Sequence, residues 1–341
     1  MNAVAGSLAR PLFRDREAAL ANCAVLLWTV GGWVASFFCM ASRSIAVNIL
    51  GVLLCAHTMV LAAYLIHEAA HQTLFAVRRA NTWTGETMNF IAGSAYGSFD
   101  RIRRLHIRHH TDRVDLTCFD FKGLMQRQPL LRRTLEALEW CYVPATEILM
   151  HLQVVWRPWF APTQRPFLAR SMAMLAVRLG LLVLLGLWSL KALLLYFVAY
   201  GLLLHVLNFF DAFHHTFDQH FVRAEEPIPL ADRDRAYEDA NTYSNLISRR
   251  WPWLNLLNLN FSYHNAHHHR AAVPWYKLPA YHHKVYGERG LSVLPLSELL
   301  HTWHRNRVRR VLADDYGVPG NGPGRAARFV GAHGVSFLTV I

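Results

Sequence analysis

The sequence predicts an all-α integral membrane protein, with four transmembrane helices in two hairpins and a cytoplasmic helical cap. Three observations carry that expectation. The chain is 53% hydrophobic and only 17% charged, against roughly 25% charged residues in an average soluble domain. Its apolar residues are gathered into long runs. Its histidines include three short clusters that lie at the ends of those runs or outside them.

The runs justify the elements in order. Residues 18–41 and 44–66 carry no charge, and only Arg43 stands close between them. A hydrocarbon core about 30 Å thick takes about 20 helical residues, so each run can span. Residues 18–41 are too long for the apolar part of a signal peptide, and a second span follows at once, so this first run reads as a retained anchor. Residues 171–190 and 192–213 make the second hairpin around Lys191. Arg178 lies inside the third span, where its long stem would snorkel toward the nearer interface. Residues 88–99 are apolar but short, which suits an interfacial or re-entrant helix. The organisation expected is a cytoplasmic N-terminal segment at 1–17, a membrane domain at 18–312 and a Gly/Pro-rich tail at 313–341. Residues 317–334 of that tail are expected to be poorly ordered, and its apolar end, 335–341, is too short to span. No internal repeat is evident.

The net charge of +12 is unevenly placed. Nearly all Arg and Lys lie before residue 18, between 78 and 170, and after 214, while the hairpin turns offer Arg43 and Lys191. By the positive-inside rule both termini and the middle loop are cytoplasmic, in what reads as a bacterial inner membrane. A probe at Ser44 or Ser189 would then be reached from outside, and one near Arg223 would not. Nothing resembles a base-reading module, so membrane lipids rather than nucleic acid account for the charge. Cys23, Cys39, Cys55, Cys118 and Cys141 are scattered, without the spacing of a disulfide framework or an iron–sulfur site.

The clusters are His67-Glu68-Ala69-Ala70-His71, His106-Ile107-Arg108-His109-His110 and His264-Asn265-Ala266-His267-His268. On a helix, positions i, i+3 and i+4 share a face, so each cluster can aim its rings at one point. A lone His-x3-His is a weak signal, but two copies of His-x2-His-His beside it are not. Eight imidazoles exceed what one tetrahedral zinc accepts and fit a pair of metal ions. Topology brings all three to one membrane face, although a whole hairpin separates the second from the third. The aromatic stretch 251–257, ahead of the third cluster, suits the interface. His57, His151, His220, His282, His283, His301, His304 and His333 read as surface or satisfied core residues. His269 falls outside the face shared by its neighbours.

These motifs, in this order around two membrane hairpins, resemble the membrane fatty acid desaturase family over residues 47–279. The likeness includes Tyr263 ahead of the third cluster, then Pro274-Trp275 and Leu278-Pro279. It implies a non-heme di-iron centre that uses O2 and two electrons to remove two hydrogens from an acyl chain. The metal-binding and catalytic residues implied are His67, His71, His106, His109, His110, His264, His267 and His268. A further histidine is expected from the end of the fourth span. His215 matches best, His214 competes, and Asp211 would act one turn earlier through water or as a supporting partner. The substrate implied is a fatty acid, or a fatty acyl lipid or thioester.

Elementary chemistry agrees with iron, because zinc has no redox chemistry and an unactivated methylene needs it. Glu68 would either orient a ligand histidine or lie solvated at a helix end, and Asp112 and Asp115 invite the same reading. The haem motif His-Pro-Gly-Gly is absent, so electrons are expected from an external ferredoxin or cytochrome-type donor. Desaturation leads the readings. Decarboxylation to a terminal 1-alkene and hydroxylation use the same site. The His-Glu-x-x-His pattern also fits an intramembrane zinc protease, which leaves six clustered histidines without a role. A metal carrier would have no reason for a four-span body.

Overall fold

The computed structural model describes residues 11–117, 119–221, 228, 232–287, 292–320, 324–335 and 338–339. Cys118, Arg223 and residues 1–10 lie outside them. The helices in chain order are α1 (Ala19–Ala41), α2 (Ile45–Ala70), α3 (Arg78–Ile91) and α4 (Phe99–Asp112). They continue with α5 (Phe121–Arg127), α6 (Pro129–Trp140), α7 (Ala145–Phe160), α8 (Leu168–Trp188) and α9 (Leu190–Ala212). The last five are α10 (Arg235–Ala240), α11 (His264–His269), α12 (Leu278–Tyr286), α13 (Leu296–Asn306) and α14 (Arg309–Leu312). Two short strands, β1 (Asp115–Thr117) and β2 (Gln219–Phe221), pair in parallel and tie the segment after α4 to the segment after α9. This small sheet is the one addition to the helical expectation among the described residues.

Four of these helices are long and apolar enough to cross a membrane, and they form the two expected hairpins. They are not equivalent. The most apolar window of α2 is 72% buried, against 6% for the third span, so α2 is the central post and α8 faces lipid. The sequence supports that role: Ala56, Ala62, Ala63, Ala69 and Ala70 let α1, α3 and α9 approach α2 closely. The first turn is closed by Asn48, whose amide donates to the carbonyls of Cys39 (2.9 Å), Met40 (3.0 Å) and Ser42 (2.8 Å). Carbonyls at a helix end lack the helix's own donors, and here the Ser42 amide and the Asn48 amide supply them. At the second turn, Ser189 is extended and its hydroxyl accepts from the Ala192 amide. Lys191 donates to the Ser42 carbonyl, so the two turns are pinned together.

The structure departs from expectation in three places. Residues 88–99 are not one helix: α3 stops at Ile91 and a turn follows. Gly93 at φ +90 makes that turn, and a Cβ there would lie 2.6 Å from the Tyr200 ring. Arg178 meets a protein partner where the sequence suggested none. Its guanidinium stacks over Phe90 and donates to the Phe90 carbonyl, which the end of α3 presents to it. The Gly/Pro-rich tail is packed rather than loose. Ala326, Phe329 and Ala332 are fully buried, the Ala332 amide donates to the Ala212 carbonyl at 2.8 Å, and Arg310 donates to the Val330 carbonyl. Gly331 serves close approach, since a Cβ there would meet the Ala212 carbonyl at 2.7 Å.

Helix packing around α2 generates a test. A Cβ on Gly51 would sit 2.8 Å from Cys39 Cβ and from the Met40 nitrogen, whereas Gly31 has nothing within 4 Å. Overpacking of this kind costs about 1–3 kcal/mol. Gly51→Val is expected to lower the thermal midpoint in detergent by several degrees. Gly31→Ala should leave the midpoint unchanged or raise it.

Candidate metal centre

Four separate stretches deliver imidazoles to one place. His67 ends the central span and His71 caps it, α4 carries His106, His109 and His110, His215 follows α9, and α11 carries His264, His267 and His268. Helix α4 begins at Ser98, whose hydroxyl accepts from the Arg101 amide, and ends at Arg113 in the left-handed region. Ahead of α11, Leu259 and Asn260 both take positive φ, and the Asn260 amide donates to the Trp275 carbonyl. That turn aims the short helix α11 back at α2 and α4.

The rings sort into two groups, in each of which one nitrogen per ring lies within 4.8 Å of all the others. The first is His67, His71, His106, His110 and His267; the second is His109, His215, His264 and His268. A cluster therefore does not aim at a single point, as its spacing had suggested. Positions i and i+4 stay together (His67 with His71, His106 with His110, His264 with His268), while the i+3 rings, His109 and His267, cross to the other group. The reason is angular: i+4 lies about 40° from i around a helix of 3.6 residues per turn, and i+3 about 60° to the other side. The first cluster contributes only to the first group, and His215 fills out the second.

In both groups the Nε2 atoms face one another. In the first, His67 meets His267 at 2.9 Å, His267 meets His110 at 3.1 Å, His110 meets His106 at 3.1 Å and His106 meets His71 at 2.8 Å. In the second, His264 meets His215 at 2.7 Å and His109 meets His268 at 3.3 Å. Metal–nitrogen bonds of roughly 2.0–2.1 Å place neighbouring ligand nitrogens about 3 Å apart.

The tautomers make the argument sharper. His109 Nδ1 donates to the Val114 carbonyl at 2.7 Å, and His268 Nδ1 donates to Glu238 at 3.1 Å. Burial lowers the pKa of His71 to about 3 and that of His109 to about 4, and it lowers those of His268 and the other rings outside the spans well below the usual value. These imidazoles are neutral at pH 7. In His109 and His268 both Nε2 atoms must then present lone pairs, at a distance that is repulsive unless a cation lies between them. The donor set fits metal.

Three buried carboxylates stand behind the rings. Glu68 Oε1 lies 3.5 Å from His67 Nδ1, and its other oxygen accepts from Thr73 at 2.6 Å and the Trp275 amide at 3.1 Å. Asp115 lies 3.4 Å from His109 Nδ1, and Glu238 holds His268 while receiving Arg113 at 2.9 Å and Arg235 at 3.0 Å. Glu238 also comes within reach of His110 and His268 as a donor group of its own. Sequence reasoning missed it, because Glu238 sits in a short hydrophilic helix that looks solvent-exposed. Asp112 pairs with Arg108 at 3.1 Å instead of a ligand ring.

His214 is buried but belongs to neither group. It is held by Asn245 at 3.0 Å and stacks on His264, with centroids 3.9 Å apart. Asp211 lies 3.9 Å from His214 Nδ1 and is in neither group, although it lines the same cavity. His269 is exposed and turned to Tyr281 at 2.7 Å. Partners are seen for His57 with Trp28, His151 with Tyr200, His282 with Asn265 and His304 with Tyr142, whereas His333 departs from expectation, being buried with neither ring nitrogen hydrogen-bonded and Glu147 4.0 Å away. A cavity of about 50 Å³ touches both groups, with Ile102, Leu105 and Phe261 as its apolar wall.

No curated protein matches this chain. The family model for fatty acid desaturase matches residues 43–299, a stretch that contains all three histidine clusters, His215 and three of the four spans. With its four apolar helices and its histidine-lined centre, the chain is an integral membrane protein that belongs to the fatty acid desaturase family.

Proposed function

We propose that this protein is a membrane-bound, O2-dependent non-heme di-iron oxidase that desaturates a fatty acyl chain. The observation that carries the reading is the pair of imidazole groups side by side, each with Nε2 atoms at ligand spacing around a common apolar-walled cavity. Bound iron would supply the redox capacity to use O2, with electrons from an external ferredoxin or cytochrome-type donor, against a methylene that no side chain here could attack.

The protein's own work is positioning. His67, His71, His106, His110 and His267 would hold one ion, and His109, His215, His264 and His268 the other. Glu68, Asp115 and Glu238 would fix the ring orientations and offset charge in a largely buried site. Ile102, Leu105 and Phe261 exclude water and would hold the reacting carbons near both ions. Geometry of that kind is worth much: a displacement of roughly 1 Å can cost about a hundredfold in rate. The protease reading fits poorly, since Glu68 is buried, with one oxygen committed to Thr73 and the Trp275 amide and the other facing His67 Nδ1 at 3.5 Å. We place the cap and both termini on the cytoplasmic side of a bacterial inner membrane. The support is the concentration of Arg and Lys in the cap, against Arg43 and Lys191 near the opposite turns.

Three outcomes are expected. His267→Ala and His264→Ala should each abolish turnover and lower bound iron, while the protein still inserts into the membrane; full iron and activity in either variant would remove that residue from the ligand set. Glu238→Gln should weaken iron binding by about 10–100-fold, read by competition with a chelator, with the fold unchanged by circular dichroism. Mass spectrometry of host lipids and headspace should find a product of unchanged chain length lighter by two hydrogens. A 1-alkene one carbon shorter than the acid would assign decarboxylation instead.

A further inference from the structure

The proposed reaction consumes protons. A CH2–CH2 unit, O2, two electrons from the external donor and two protons give CH=CH and two waters. Two C–H bonds and the O–O bond break, and both protons must reach a largely buried centre from bulk water. Rings that ligate a metal through Nε2 have no proton there to give.

A second set of buried titratable groups stands outside the centre. Glu147 on α7 and His333 in the tail are each 3% exposed, and His333 Nε2 lies 4.0 Å from Glu147 Oε1. Neither ring nitrogen of His333 makes a hydrogen bond, which is costly in a folded interior and asks for a reason. The local chain puts the ring there. Gly334 takes φ +75 and lets the tail pass close to α5 and α7, where a Cβ would come within 2.7 Å of Phe121 and 3.0 Å of Met150. The Gly334 amide donates to Glu147, and Gln219 holds the His333 carbonyl at 3.0 Å. The next residue, Val335, lines the cavity beside the two imidazole groups, as does Asp211. On the other side of Glu147 stands Glu139, in the last turn of α6, which accepts from the Thr146 amide at 2.9 Å.

The charges facing the pair come from α5, α6, α9 and α14. Burial, then the Glu139 and Asp211 carboxylates, raises the Glu147 carboxyl to about 8. Burial, then Arg310 and Lys122, lowers the His333 ring to about 3. At pH 7 Glu147 is therefore a neutral acid with a proton to give, and His333 is a neutral ring with one N–H and one lone pair. Glu147 loses its proton as the pH rises through about 8.

We propose that Glu147 and His333 relay protons from the α6 side of the cap to the metal-side cavity, with Asp211 and Val335 at the exit. This rests on the use of O2 at the centre, as read above. Glu147 passes its proton to His333 Nε2 while Nδ1 releases one on the cavity side. Glu147 is then refilled from solvent by way of Glu139, so no net charge stays buried. Turning the Glu147 carboxyl, or one bridging water, closes the 4.0 Å step.

The test uses the iron-loaded full chain in lipid nanodiscs, chemically reduced and mixed with O2 in weak buffer containing a pH indicator, so that proton uptake is read directly. Glu147→Gln and His333→Phe should each slow uptake by about 10–100-fold, with iron content and thermal midpoint retained. Glu147→Asp should recover part of the rate. The wild-type rate should fall above about pH 8, a limb that Glu147→Gln lacks. Infrared difference spectra should show a carboxylic-acid C=O band at pH 7 that Glu147→Gln removes. Wild-type uptake rates in both variants, or no such band, would overturn the relay. Slower uptake that tracks lost iron or a lowered midpoint, with the alkaline limb kept, would make the pair structural and overturn it as well. Proton uptake without a dehydrogenated product would count against desaturation, while the variants would still decide the relay.

Discussion

The neutral imidazoles of His109 and His268, whose Nε2 lone pairs are turned on one another at 3.3 Å, are the constraint on which the rest of the structure depends. That pair repels itself unless a cation lies between, and burial of rings such as His267 and His268 adds the loss of their water. Four stretches of chain deliver the rings from different directions, and the pair itself is anchored from behind, His109 by the Val114 carbonyl and His268 by Glu238. The hairpins are the frame for this. Central helix α2 carries His67 and His71 on a body that is itself packed on several sides, while α4 and α11 arrive over the top, each aimed by a left-handed residue or a cap. Cations at the two foci would offset the cost of assembling the rings, and folding of the cap would then be coupled to metal binding.

Charge follows from the same geometry. Two divalent ions surrounded by neutral nitrogens would leave a large positive charge in a medium of low dielectric constant, where unpaired charge is costly. Glu68, Asp115 and Glu238 stand one layer out, each behind a different ring, and Glu238 is held in turn by Arg113 and Arg235. In the absence of metal, burial and the nearby Asp218 carboxylate push Asp115 well above the usual carboxylate range. In the proposed centre the carboxylates would balance the ions while the rings served as ligands. This differs from carboxylate-rich soluble di-iron bundles, where the acids bind directly.

The spans were legible because their signal is crude and additive. A run of some 20 apolar residues between charged neighbours has few alternatives in a helical membrane protein, and the hairpins lie where the runs lie. The three clusters were legible for a related reason, since histidine repeats at helical spacing are rare without a ligand to satisfy. The preference for His215 over His214 agrees with the way the rings group, although adjacent histidines differ only in which way the chain turns after α9. What the sequence hid is tertiary. The crossing of His109 and His267 into opposite groups depends on how α4 and α11 meet. Glu238 lies 30 residues from the ring it holds and sits in a helix that reads as solvated. The tail looked loose because Gly and Pro were weighed by propensity, whereas Gly331 is there so that backbone can touch the Ala212 carbonyl.

X-ray absorption at the iron edge of the reconstituted protein, with iron counted per chain on the same sample, tests the central claim most directly. The account predicts two irons per chain, an inner shell dominated by imidazole nitrogen and an iron–iron scattering component. One iron per chain, or an inner shell dominated by carboxylate oxygen or sulfur, would contradict it.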